Sequence, residues 1–268
     1  MVSCARLSPL ISGDNPMTDT ILYSRSGHIG RLVLNNPERH NSLGREQLDG
    51  IQDRLTEVAA DKVVRVLIVS GAGTKTFCAG ASLQELSDGQ ISDNAFQKMT
   101  CQLADLSIPT LCAMNGDVFG GGAELAMSCD FRIGVEGSRM RVPAAAIGLC
   151  YPLAGINHFI RCLGVRLTKR ILVASEEFNA NALLEIGFLD HLVSPSNLDE
   201  FANDFAGHLA GLAPLAVQSM KRIIGLAADG AVDPEIALEL SRMCLESQDL
   251  QEGFTAKREK RSPLFTGH

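Results

Sequence analysis

The sequence has no block of lysine and arginine, and across its 268 residues the formal net charge is -7. Nothing in it would track a phosphate backbone, which excludes a nucleic-acid partner. Nor does it contain a membrane-spanning run: the apolar stretch Val63–Val69 is broken by Arg65, far short of the roughly 20 residues a spanning helix needs. The histidines (His28, His40, His158, His191, His208, His268) form no ligand pair at helical spacing with an acid or a cysteine, so no metal centre is expected. The eight cysteines show no metal-type pairing either. Most lie in apolar segments and read as buried, reduced thiols of a reducing, cytoplasmic compartment. Residues 1–16 lack the continuous apolar stretch of a secretory signal, and Met17 is a second possible start. Residues 1–17 are therefore expected to be a disordered extension outside the fold.

What is present is a large apolar fraction, 46%, and 25 glycines, enough for one α/β unit or for such a core with a smaller helical region. Ile21–Tyr23 and Ile29–Leu34, separated by Ser26-Gly27-His28, predict a β-hairpin. Leu48, Ile51, Leu55 and Val58 recur at helical spacing and predict an amphipathic helix over Gly44–Ala60. Val63–Ser70 is dense in β-branched residues and predicts a buried parallel strand. Ser82 is placed to cap a helix, Asp88–Asp93 reads as a mobile connection, and Asn94–Leu106 as a helix. Further strands are expected at Ile108–Met114, Phe131–Val135 and Phe188–Val193, with a short extended piece at Met140–Val142 and a helix over Leu153–Leu163. Strand, helix and turn alternate, which argues an α/β core. From Asn197 onward the pattern is helical, with about three helices. They carry more apolar positions than a single layer buries, so oligomer contacts are expected.

The segment Asn115–Asp130 (NGDVFGGGAELAMSCD) joins a buried strand to a buried helix through three glycines. Glycine there permits tight turns and close approach of a ligand to the main chain. The helix start directs unpaired N–H groups at the same gap, a good place to hold a negative oxygen. The same glycines would also serve a turn that packs a helix closely on a sheet. Glu124 is likewise ambiguous, because a carboxylate in the first turn of a helix is favoured by the dipole alone.

Taken together, four motifs make the chain resemble the enoyl-CoA hydratase/isomerase family, the crotonase superfamily, over residues 20–268. They are Asn36–Leu43 (NPERHNSL), Phe77–Leu83 (FCAGASL), Asn115–Leu125 with Cys129-Asp130, and Pro143–Gly148; the tail Gln251–Phe265 also fits. The resemblance implies a spiral of ββα units over residues 18–196 and a helical trimerisation region over 197–268, as a homotrimer or a dimer of trimers. It implies a site for an acyl-CoA thioester whose carbonyl oxygen is held by the N–H groups of Ala81 and Gly121, flanked by Ala79, Leu83 and Gly120. Arg39, His40, Lys257 and Lys260 would meet the nucleotide end of CoA. No metal, flavin or nicotinamide cofactor is implied; CoA is part of the substrate. Glu124 matches one of the two carboxylates of the family's hydratases, but the second position holds Ala144. Around Tyr151 the chain is similar to the methylmalonyl-CoA decarboxylase branch, although that enzyme has His where this chain has Ala81. The resemblance thus favours decarboxylation of a methylmalonyl-type thioester, with Tyr151 orienting the substrate carboxylate. Hydration or isomerisation by Glu124 alone, and a non-catalytic acyl-CoA-binding protein, are the alternatives.

Overall fold

The computed structural model describes residues 19–268; the expected N-terminal extension lies outside them. The hairpin forms as β1 (Ile21–Ser26) and β2 (Ile29–Leu34), and the amphipathic helix as α1 (Arg45–Ala60). Leu48, Ile51, Leu55 and Val58 are all buried, which is the reason the segment holds as a helix against the sheet. There follow β3 (Val66–Gly71), β4 (Thr76–Cys78), α2 (Leu83–Ser87) and α3 (Asp93–Ala104). Next come β5 (Thr110–Met114), β6 (Asp117–Phe119), α4 (Gly121–Met127), β7 (Phe131–Val135), β8 (Arg139–Arg141) and α5 (Leu153–Thr168). The remaining elements are β9 (Phe178–Asn179), α6 (Ala180–Glu185), β10 (His191–Val193), α7 (Leu198–Ala210), α8 (Pro214–Ala228), α9 (Pro234–Leu245) and α10 (Gln248–Glu259).

The strands sort into two sheets. The larger has the order β1-β2-β3-β5-β7-β10, antiparallel only at the hairpin. The smaller has the order β4-β6-β8-β9, with the first three parallel. From β3 onward the chain enters a strand of the large sheet, crosses to a strand of the small one and returns through helix, three times over: β3-β4, β5-β6 and β7-β8. Because β4 and β6 are parallel neighbours, the turns leaving them emerge side by side at one edge. That adjacency builds the site.

The central strands β3 and β5 are buried on both faces and read as nearly unbroken apolar runs, whereas β2 alternates and β1 is largely exposed. In β3, Leu67 and Val69 join the core beneath α1 and α3, while Val66 and Ile68 pack with Leu111, Ile133, Ala202 and Leu209 under α7. The strand begins at Val66 and not Val63, since Arg65 turns outward and donates to the carbonyls of Ala210 and Phe265. The helix expected over Leu153–Leu163 ends where it was expected: Gly164, at φ 75° and ψ 164°, is not helical, and a second short helical segment follows it to Thr168. Four helices, not three, follow Asn197; α10 escapes a periodicity search because Asp249 and Ala256 are its buried residues. All seven described cysteines are free, but Cys101, Cys150 and Cys162 are exposed, against the expectation of burial. No helix among the described residues is long and apolar enough to cross a membrane.

Candidate functional site

Two turns and one helix start bound a cavity of about 170 Å3. The first turn leaves β4 through Ala79, Gly80 and Ala81. It is held on every side: Ala79 N–H donates to the His40 carbonyl at 3.0 Å, Leu43 N–H to the Gly80 carbonyl at 2.8 Å, and Ser82 N–H to the Leu43 carbonyl at 2.9 Å. Gly80 N–H reaches the Cys78 sulfur at 3.3 Å. Ser82 caps α2 as expected, accepting from Glu85 N–H. The 36–43 loop that supports this turn is itself fastened by buried Asn41, which donates to the carbonyls of Ala72 and Thr76 and accepts from Asn36 N–H. Among the described residues, the Ala81 N–H alone in this turn has no protein acceptor.

The second turn leaves β6 at Gly120, which has φ 51° and donates to the Arg141 carbonyl at 3.0 Å. Gly121 then opens α4, so its N–H has no partner within the helix, and no described carbonyl takes it. The two turns touch. A Cβ on Gly80 would lie 2.6 Å from the Gly121 nitrogen, and one on Gly122 would lie 2.4 Å from the Cys78 carbonyl oxygen. Only residues without side chains let β4 and β6 deliver their turns this close.

One turn into α4, Glu124 is 5% exposed. The Tyr151 hydroxyl donates to its Oε2 at 2.7 Å. Burial raises the Glu124 carboxyl above its ordinary range and the Tyr151 hydrogen bond partly offsets this. The Tyr151 phenol is pushed well up by burial and by the Glu124 charge, and so remains the donor of the pair. Its ring sits edge-on to Phe159, with centroids 5.6 Å apart. The walls are mostly apolar, with Leu86, Ile91, Phe96, Phe119, Val142 and Ala144 among them, and Ser92 and Gln97 as polar members. Among the described residues, no lysine, arginine or histidine lines the cavity, and Glu124 is its one carboxylate.

Of the residues singled out in the sequence, Ala79, Ala81, Leu83, Gly120, Gly121, Glu124 and Tyr151 all line this cavity. Arg39 and His40 stand on the exposed turn behind the first glycine turn, with His40 Nδ1 3.0 Å from Thr76 Oγ1. Lys257 and Lys260 are exposed at the end of α10 and do not line it. One expectation changes: Tyr151 does not offer a free hydroxyl, because Glu124 takes it. Ile91, between α2 and α3, is buried and forms part of the wall, while Leu153, at the start of α5, is 73% exposed and lies outside it. Phe96 and Gly155 were missed; an isolated glycine inside a helical pattern such as Gly155 is a signal of close approach. Among the described residues there is no group of three or more His, Cys, Asp or Glu side chains that could hold a metal ion.

Comparison with known proteins places the chain in a family. The crotonyl-CoA hydratase of Syntrophomonas wolfei is 30% identical over 92% of this chain and 98% of its own. The methylmalonyl-CoA decarboxylase of Escherichia coli is 28% identical over 88% of this chain and 94% of its own. The crystal structure of an enoyl-CoA hydratase/carnitine racemase from Magnetospirillum magneticum superposes with a TM-score of 0.89, at 28% identity over 94% of this chain and 97% of that one. The family profile described as enoyl-CoA hydratase/isomerase matches residues 24–268, and the chain belongs to that family.

Proposed function

We propose that the protein is an acyl-CoA enzyme that adds water to, or shifts the double bond of, an enoyl thioester with an uncharged acyl chain. The carrying observation is the buried Glu124 carboxylate, bonded to Tyr151 at 2.7 Å in a largely apolar cavity that Ala81 and Gly121 also line. In this reading the thioester carbonyl oxygen accepts from both free N–H groups. As negative charge moves onto that oxygen in the enolate, the two donors stabilise it, each contributing about 3–4 kcal/mol in comparable sites. Glu124 carries the proton. For hydration it takes one from water as the oxygen bonds to Cβ, then returns it to Cα, ending as it began. Burial raises this carboxyl above its ordinary range, which makes it a stronger base than an exposed carboxylate for the first transfer and leaves it able to give the proton back in the second.

Decarboxylation is the weaker reading. It required Tyr151 to orient a substrate carboxylate, but that hydroxyl is engaged by Glu124. A second carboxylate would have to enter beside Glu124, where no described residue of the lining is cationic. In the same proposal, subunits associate through the exposed apolar residues of α8 and α9, such as Ile224 at 67% and Leu238 at 71% exposure, and a mass equal to one chain at micromolar concentration would remove that part. A panel of CoA thioesters read by mass spectrometry tests the chemistry. Gain of water or migration of the double bond is expected; loss of carbon dioxide from a malonyl-type thioester with no change in enoyl thioesters would overturn it.

A further inference from the structure

Gly155 lies in the first turn of α5 and is buried. A Cβ built on it would sit 2.4 Å from Tyr151 Cε1, 2.8 Å from Tyr151 Cδ1 and 2.9 Å from Glu124 Oε2. Any side chain must therefore displace the tyrosine ring, the carboxylate or both. Backbone conformation does not call for glycine here, since Gly155 is absent from the residues with positive φ. Helix propensity argues against it, because alanine is the better helix former. What remains is space. The carboxylate oxygen it accommodates is the one that accepts from Tyr151, while Oε1 accepts no hydrogen bond from the described residues.

We propose that Gly155 is a positioning residue whose missing side chain is the seat in which Tyr151 and Glu124 are clamped together, leaving Oε1 as the oxygen that exchanges protons with the substrate. The clamp rests on the reading of Glu124 as the proton carrier. It acts through orientation: with Oε2 held by the phenol, the carboxylate cannot rotate, and Oε1 keeps one direction toward the cavity.

The test compares wild type, Gly155→Ala, Tyr151→Phe and the double variant, each labelled with 13C at the glutamate carboxyl. Carbon NMR follows the Glu124 titration without substrate. Loss of the phenol donor is expected to move the Glu124 midpoint up in Tyr151→Phe, because that hydrogen bond holds it down. Gly155→Ala alone is expected to move it in the same direction, and the double variant no further than Tyr151→Phe. On a thioester that the enzyme turns over, each single variant should lose roughly tenfold to hundredfold in kcat, with KM nearly unchanged and the acid limb of the pH profile moved to higher pH. A wild-type titration in Gly155→Ala, or shifts that add in the double variant, would overturn the seat. Should Gly155→Ala not fold, Tyr151→Ala in the same chain must restore folding if the ring is what the methyl meets; failure to restore it also overturns the inference. The titration separates the two claims: absence of turnover on every thioester with the shift intact removes the proposed activity and leaves the clamp, while turnover with an unshifted Gly155→Ala removes the clamp alone.

Discussion

Replacing Gly80 by alanine probes the join on which the site depends. Gly80 has φ +82°, and the added Cβ would lie 2.6 Å from Gly121 N and 2.7 Å from the Phe119 carbonyl oxygen. Both neighbours are backbone and cannot rotate away. An L-residue held in left-handed backbone costs about 1–2 kcal/mol, and forcing a methyl into packed atoms adds about 1–3 kcal/mol. For a chain of this size that lowers Tm on the order of 10 °C. The functional effect is separate. Relief of the contact must move Gly121 or the Ala81 turn, and misplacing one of two oxyanion donors costs about 3–4 kcal/mol, a hundredfold to thousandfold in kcat. Gly137→Ala is the control: its φ is +83°, but no atom lies within 4 Å of the new Cβ, so it carries the conformational cost alone. Turnover of an enoyl thioester is measured at a temperature where both variants are folded by circular dichroism. If folded Gly80→Ala is as active as Gly137→Ala, the two turns do not jointly hold the substrate oxygen.

Glu124→Gln should lose about 10²–10⁴-fold in kcat yet melt above wild type at pH 7. The folded carboxyl is raised above its ordinary 4.5, so its contribution to stability is fully present below pH 4.5 and is lost as pH rises through the folded value; the difference in Tm should close in acid. His158 has the opposite sign: burial first, then the Arg161 charge, lowers it from 6.5 to about 4. Its stabilisation is present above pH 6.5 and is lost as pH falls toward 4, by up to about 3 kcal/mol, and His158→Gln should flatten urea midpoints across that window. Lys221 Nζ bonds Asp130 Oδ2 at 2.6 Å and the Ile108 carbonyl at 2.8 Å, fastening α8 to the core. Lys221→Met should lower stability by about 1–3 kcal/mol with kcat unchanged, seen as a lower denaturation midpoint and normal turnover.

The elements that were legible in the sequence are those with enough residues to show a period. The row Leu48, Ile51, Leu55 and Val58 marks one face of α1, and the strand expected at Phe131–Val135 forms with those bounds. The strands β4, β6 and β9 have three residues or fewer, too few for alternation to register, and β6 was read as part of the glycine turn. Yet β4 and β6, by lying parallel, bring Ala81 and Gly121 together. The motifs named those residues; the short strands explain their meeting. The Glu124–Tyr151 contact was not legible for a different reason. It spans 27 positions and exists because α5 approaches α4 at Gly155, a matter of packing that spacing along the chain does not encode. That contact is what turns Tyr151 from a partner of the substrate into a partner of Glu124.

The central claim, proton transfer by Glu124 to a thioester enolate, is tested most directly in heavy water. A short-chain enoyl thioester is incubated with wild type and with Glu124→Gln, and carbon-bound deuterium in the product is read by mass spectrometry and proton NMR. Deuterium entering at a carbon of the acyl chain with wild type, and not with Glu124→Gln, is the expected result. Equal incorporation by both proteins would contradict the account.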